Sequence, residues 1–165
     1  MVTRILCAID DTDHSETAAE FAISLASQLS ARLTFYMVNP AVLPSSRGVP
    51  VYLWSDDYIG GYLDEALRRA RRAGLHHVTG EAQRADSIGD SIVAFADLDE
   101  ADLIVVGAGS HGRIIDMLRR SVSRAVADAA HCPVLIVKHV GDRRSWQSPF
   151  PHREPANGIL NVHRP

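Results

Sequence analysis

Apolar and polar positions along this chain follow two alternating periods. The apolar run within Val2 to Ile9 predicts a buried strand. The polar turn Asp10-Asp11-Thr12-Asp13-His14-Ser15 follows, with Ser15 and Asp13 as candidate caps. Glu16 to Ser30 then repeats at helical spacing, placing Ala18, Phe21, Ala22, Leu25, Ala26 and Leu29 on one face. Arg32 to Val38 predicts a second strand, and residues 40–55, which hold Pro40, Pro44 and Pro50, predict a long loop. A helix over Asp56 to Ala73 turns Tyr58, Tyr62, Leu63, Ala66, Leu67 and Ala70 inward and closes at Gly74. Leu75 to Gln83 predicts a weaker third strand, and Ser87 to Asp97 a helix with Ile88, Ile92, Phe95 and Ala96 inward. Asp102 to Val106 predicts the fourth strand, Asp116 to Ala130 a helix and Pro133 to Val140 the fifth strand. Strands that alternate with helices in this way build a parallel sheet covered on both faces, an α/β fold.

The most informative segment is Leu103-Ile104-Val105-Val106-Gly107-Ala108-Gly109-Ser110-His111-Gly112. A buried strand runs into a glycine-rich turn, and a helical pattern begins at Arg113. That geometry presents backbone N–H groups to a phosphate. Ligands of parallel sheets sit at the carboxyl ends of the strands, where strand order reverses. The glycine turn and the acidic Asp10–Asp13 turn face one crevice if the first and fourth strands are neighbours. The other reading of these glycines is steric, a tight strand-to-helix connection with no ligand.

Composition narrows the function. One domain of 165 residues holds a substantial core. The net charge of −3 argues against a broad nucleic-acid footprint. No apolar run reaches membrane-spanning length and no secretory segment follows Met1, so the expected location is the cytoplasm. Cys7 and Cys132 lie in apolar strand-like runs with no metal spacing between them. Arg68, Arg69, Arg71 and Arg72 form a basic helix face answered by Asp64 and Glu65. The glycine turn lacks the lysine of a P-loop, and Gly109-Ser110-His111-Gly112 does not have the spacing of a nucleophile elbow. No catalytic constellation emerges, and His111 alone is no metal ligand set. The segment 141–165 has no helical or strand period and carries four arginines against Asp142 and Glu154. It reads either as a mobile extension or as an arm on a partner subunit, anchored by Trp146 and Phe150.

Three blocks together resemble the universal stress protein family. They are Arg4-Ile5-Leu6-Cys7-Ala8-Ile9-Asp10 with Ser15, the Gly109-Ser110-His111-Gly112 turn, and Ser121-Val122-Ser123-Arg124-Ala125-Val126 leading to His131-Cys132-Pro133-Val134-Leu135-Ile136-Val137. They occur in the family's order over residues 1–140. The resemblance implies a Rossmann-like three-layer sandwich with five parallel strands in the order 3-2-1-4-5. It implies a small stress-response protein that binds ATP or another adenine nucleotide, with magnesium, and acts as a regulatory homodimer through the last strand, Val134 to Val137. A regulatory protein partner is a further expectation, and the charge and the apolar runs point to neither nucleic acid nor a membrane.

By the same resemblance, Ala8, Ile9 and Asp10 border the adenosine, with Asp10 accepting from the ribose or holding a metal through water. Asp10 as a plain turn cap is the other reading. Val38 packs on the base, or is simply core. Ala108, Gly109, His111 and Gly112 line the phosphate end. Ser121, Val122 and Ser123 offer hydroxyl and N–H groups at a helical turn, or cap it locally. The chain departs from the family's Gly-x-x-Gly, nine residues, Gly-Ser/Thr pattern. Arg120 replaces the second-half glycine, and only residues 113–119 precede it. Arg120 either grips phosphate through its fork or fills the phosphate space. Two further readings stand beside nucleotide binding: a nucleotide-free dimeric adaptor, and a slow ATPase relying on Asp10 and Asp13.

Overall fold

The structure, a computed structural model, describes residues 1–43, 48–108 and 122–138. In chain order its elements are β1 (Arg4–Ile9), α1 (Asp13–Leu29), β2 (Arg32–Leu43), β3 (Val51–Tyr52), α2 (Asp56–Arg72), β4 (Val78–Ala85), α3 (Ile88–Leu98), β5 (Leu103–Gly107), α4 (Val122–Ala129) and β6 (Val134–Val137). Five strands pair in parallel in the spatial order β4-β2-β1-β5-β6. With the two-residue β3 set aside, this is the expected 3-2-1-4-5 order. One core, around Leu33, Phe35, Met37 and Val105, lies between the sheet and α1 with α2. The other, around Leu6, Tyr36, Ile104, Val106 and Val126, lies under α3 and α4.

Three helices stop in the same way. Beyond α2, Gly74 takes a positive φ of 88°. Its N–H donates to the Arg71 carbonyl, and Leu75 N–H donates to the Ala70 carbonyl. This pair of hydrogen bonds closes the helix and buries Leu75 against the core, so Leu75 belongs to the helix stop and β4 begins only at Val78. Ser30 (φ 54°) and Glu100 (φ 49°) play Gly74's part after α1 and α3, followed by Ala31 and Ala101, which bond back to Ala26 and Ala96.

Further expectations are corrected. The stretch 40–55 is partly β-structure: β2 continues to Leu43, and β3 pairs antiparallel with it. Pro40 reads as a breaker in sequence, yet it sits near the end of β2, where its carbonyl still accepts from Leu53 N–H at 3.1 Å. The buried arc of α1 is Ser15, Glu16, Ala18, Ala19, Ala22, Ile23 and Ala26, while Phe21 and Leu29 are exposed. Small residues let α1 lie close on the sheet, which turns the larger side chains to its margin. On α2, Ile59 joins the buried face, and Tyr58 and Leu67 are only partly covered.

Candidate functional site: the crevice between β1 and β5

The ladder between β1 and β5 joins Ile5–Leu103, Leu6–Ile104 and Cys7–Val105 and stops there. Each strand then runs two residues further, to Ile9 and Gly107. Beyond Cys7 the chain pairs with β2 on one side, while β5 pairs with β6 on the other. The strand order reverses here and the two strand ends are no longer paired, which is where parallel sheets open a crevice.

The first turn of α1 closes that crevice on one face. A Cβ on Gly107 would stand 2.7 Å from the backbone carbon and oxygen of His14 and 3.0 Å from Ser15 N. Only a residue without a side chain permits that approach. Gly107 therefore serves helix–strand packing, the steric reading of one glycine in the run.

Asp10 sits at the rim, half-buried. Its N–H donates to Ser15 Oγ at 2.7 Å. Its Oδ1 accepts from Thr12 N–H at 3.1 Å and from the Thr12 hydroxyl at 2.6 Å. Its carbonyl accepts from the Tyr62 hydroxyl at 2.5 Å. Thr12, rather than Asp13 or Ser15, is the N-cap of α1, and its Oγ1 accepts from Ser15 N–H. Burial pushes the Asp10 carboxyl above its ordinary range, against the pull of Thr12's hydrogen bonds.

The residues expected at the site separate by face. Ala8, Val38 and Val122 share the α3/α4 side with Leu6, Tyr36 and Val106, and Ala8 and Val122 are half-exposed there. Ser123 is buried on α4. Ile9 belongs to the opposite layer with α1 and α2, so its side chain does not share a surface with Ala8. Ala108 N–H donates to the Val137 carbonyl at 2.7 Å, which commits that amide to the sheet. Gly109, His111, Gly112, Arg120 and Ser121 lie outside the described residues, as do the tail residues Trp146 and Phe150. Among the described residues no group of three or more His, Cys, Asp or Glu side chains is placed to hold a metal ion. Cys7 is buried and Cys132 half-buried, both as free thiols.

The universal stress protein family model matches residues 1–138. The chain belongs to that family. A universal stress protein of Thermus aquaticus is 32% identical over 146 residues, covering 84% of this chain and all of the relative. A universal stress protein solved in complex with cAMP is 28% identical, with a TM-score of 0.66, covering 82% of this chain and 97% of that one. The universal stress protein of Archaeoglobus fulgidus in complex with dAMP has a TM-score of 0.59 at 24% identity, covering 84% and 98%, a likeness that speaks for the fold. Among the described residues no helix is long and apolar enough to cross a membrane.

The supports of the Asp10 turn were not legible as such in the sequence. Tyr58 and Tyr62 read as apolar face of α2, yet both hydroxyls reach the turn. The available signal was their i, i+4 spacing, because a buried phenol requires a partner for its hydroxyl. The α2 arginines divide. Arg68 pairs with Glu65 on its own helix, as expected, whereas Arg69 crosses to Glu16 and Glu20 of α1.

Proposed function

We propose that this chain binds an adenine nucleotide in the crevice between β1 and β5 and acts as a regulatory dimer. The observation that carries the reading is the parting of the two strands beside Ala8, with the Asp10 carboxylate at its rim. Ala8 is small and half-exposed, flanked on the same face by Val38 and Val106, and suits a flat apolar base. Oδ1 of Asp10 takes both of Thr12's bonds, so Oδ2 is the oxygen to which a ribose hydroxyl would donate. The solved relative that holds cAMP, a ligand with base, ribose and phosphate, supports the same ligand class. ATP is the candidate physiological ligand, with magnesium carried on its phosphates. The dimer forms through the outer edge of β6.

A thermal-shift titration of the full chain with ATP, AMP and cyclic AMP in magnesium tests the reading. Ligand binding to the folded state raises the melting temperature by mass action. A saturable rise is expected for wild type and none for Ala8→Phe, whose ring occupies the base's place. No rise in wild type at millimolar nucleotide would leave the adaptor reading in its place. A rise undiminished by Ala8→Phe would move the site elsewhere.

A further inference from the structure

The polar groups of Asp10 are held by three different parts of the fold. Ser15 of α1 takes the N–H, Thr12 of the turn takes Oδ1, and Tyr62 of α2 takes the carbonyl. Oδ2 accepts none of these bonds. A residue held at its N–H, its carbonyl and Oδ1 has its remaining oxygen preset, so binding a donor there costs little further ordering.

The contribution of α2 is the unexpected one, because α2 packs on the face opposite Ala8 and Val38. Tyr58 and Tyr62, four residues apart, present both phenols to the turn. Tyr58 stands 3.4 Å from Asp11 Oδ2. The Tyr62 hydroxyl lies 2.5 Å from Glu16 Oε1 as well as from the Asp10 carbonyl, so its single proton is shared between the two acceptors, and Arg69 holds the other Glu16 oxygen. The position of α2 is set in turn by the segment after β2. Asn39, fully buried, donates to the Trp54 carbonyl at 2.8 Å and accepts from Trp54 N–H at 3.0 Å. Ser55 then caps the helix, and Arg84 of β4 binds both oxygens of Asp56.

We infer that Tyr62 is a positioning residue for ligand binding: its hydroxyl, held between Glu16 and the Asp10 carbonyl, sets the carboxylate that receives the ribose. The inference rests on the proposed nucleotide reading and deepens it. It also makes the ribose end of the ligand depend on a helix that touches no part of the ligand.

The test is Tyr62→Phe, which keeps the ring in the core and removes only the hydroxyl. Calorimetric affinities are measured for AMP and for free adenine, alongside hydrogen exchange of the Asp10 and Thr12 amides. The expected result is an AMP affinity weakened about fivefold, the worth of roughly one hydrogen bond, with adenine affinity within twofold of wild type. The Asp10 and Thr12 amides exchange faster, while those of Leu6 and Phe35 keep their protection. Unchanged AMP affinity in Tyr62→Phe overturns the inference, as does an equal loss for AMP and adenine, which marks a general structural effect. A wild-type chain that binds neither ligand overturns the nucleotide reading itself, and the inference with it.

Discussion

At the scale of single residues, Asp10 carries opposing demands. Its carboxyl is raised by burial and by Asp11, and lowered by Thr12's bonds and by His14. The folded chain therefore holds a proton there more tightly than the unfolded chain does. The carboxylate is a cost to stability at neutral pH, and the cost disappears as pH falls through the raised value. Asp10→Asn keeps an acceptor for Thr12 and removes the charge. It is expected to raise the melting temperature near pH 7. That gain shrinks in melts taken towards pH 4, and ribose-bearing nucleotides bind more weakly. A gain equal at every pH would contradict the assignment of the cost to the charge. Asp10 was legible in sequence as a turn acid because it ends an apolar strand. The steric role of Gly107 was not, because nothing in its own neighbourhood announces the His14 backbone lying 2.7 Å from where its Cβ would stand. Glycine in a strand-to-helix turn is ambiguous until the partner across the fold is known.

At the scale of elements, the strands and helices were readable where period and punctuation agreed. The stop of α2 at Gly74 follows from glycine's tolerance of positive φ. The same stop after α1 and α3 uses Ser30 and Glu100, residue types that do not signal it. The β2 extension and β3 were missed because prolines suggested a plain loop, and that segment matters: through Asn39 and Trp54 it sets where α2 begins. Asn39→Ala removes both bonds to Trp54 from a fully buried site. It is expected to cost about 2 kcal/mol in urea unfolding with an unchanged slope. Through the Tyr62 contact it also weakens AMP. A loss of stability with AMP affinity intact would separate α2 from the ligand site. Asp102 performs a similar fastening at the other end of the sheet. Its Oδ2 accepts from Thr3 N–H, the Thr3 hydroxyl and Arg4 N–H, which hold its carboxyl below the ordinary range.

At the scale of the whole molecule, the two sheet edges differ. β4 carries Glu81, Gln83 and Arg84, exposed polar side chains that discourage further pairing. β6, Val-Leu-Ile-Val, carries no charge, and Ile136 is 43% exposed. Among the described residues nothing pairs with its outer edge. Ile136→Lys places a charge on that strand and is expected to convert a dimer to a monomer in sedimentation velocity. A dimer that survives the substitution would put the interface on another surface. The parallel sheet was legible because alternating strands and helices leave few ways to cover both faces, whereas its strand order came from the resemblance to the universal stress protein family. The crevice was legible only as a place, since which side chains share a face depends on strand register. Register pairs Ala8 with Tyr36, on the face that also carries Val38, and sends Ile9 to the opposite layer. The most direct measurement is therefore a nuclear magnetic resonance titration of the full chain with AMP, following backbone amides. Saturable shifts confined to Ala8–Asp10, Val38–Asn39 and Val122–Ser123 are the predicted result. No saturable shift, or shifts centred on the opposite end of the sheet around Arg32, Thr79 and Asp99, would contradict the account.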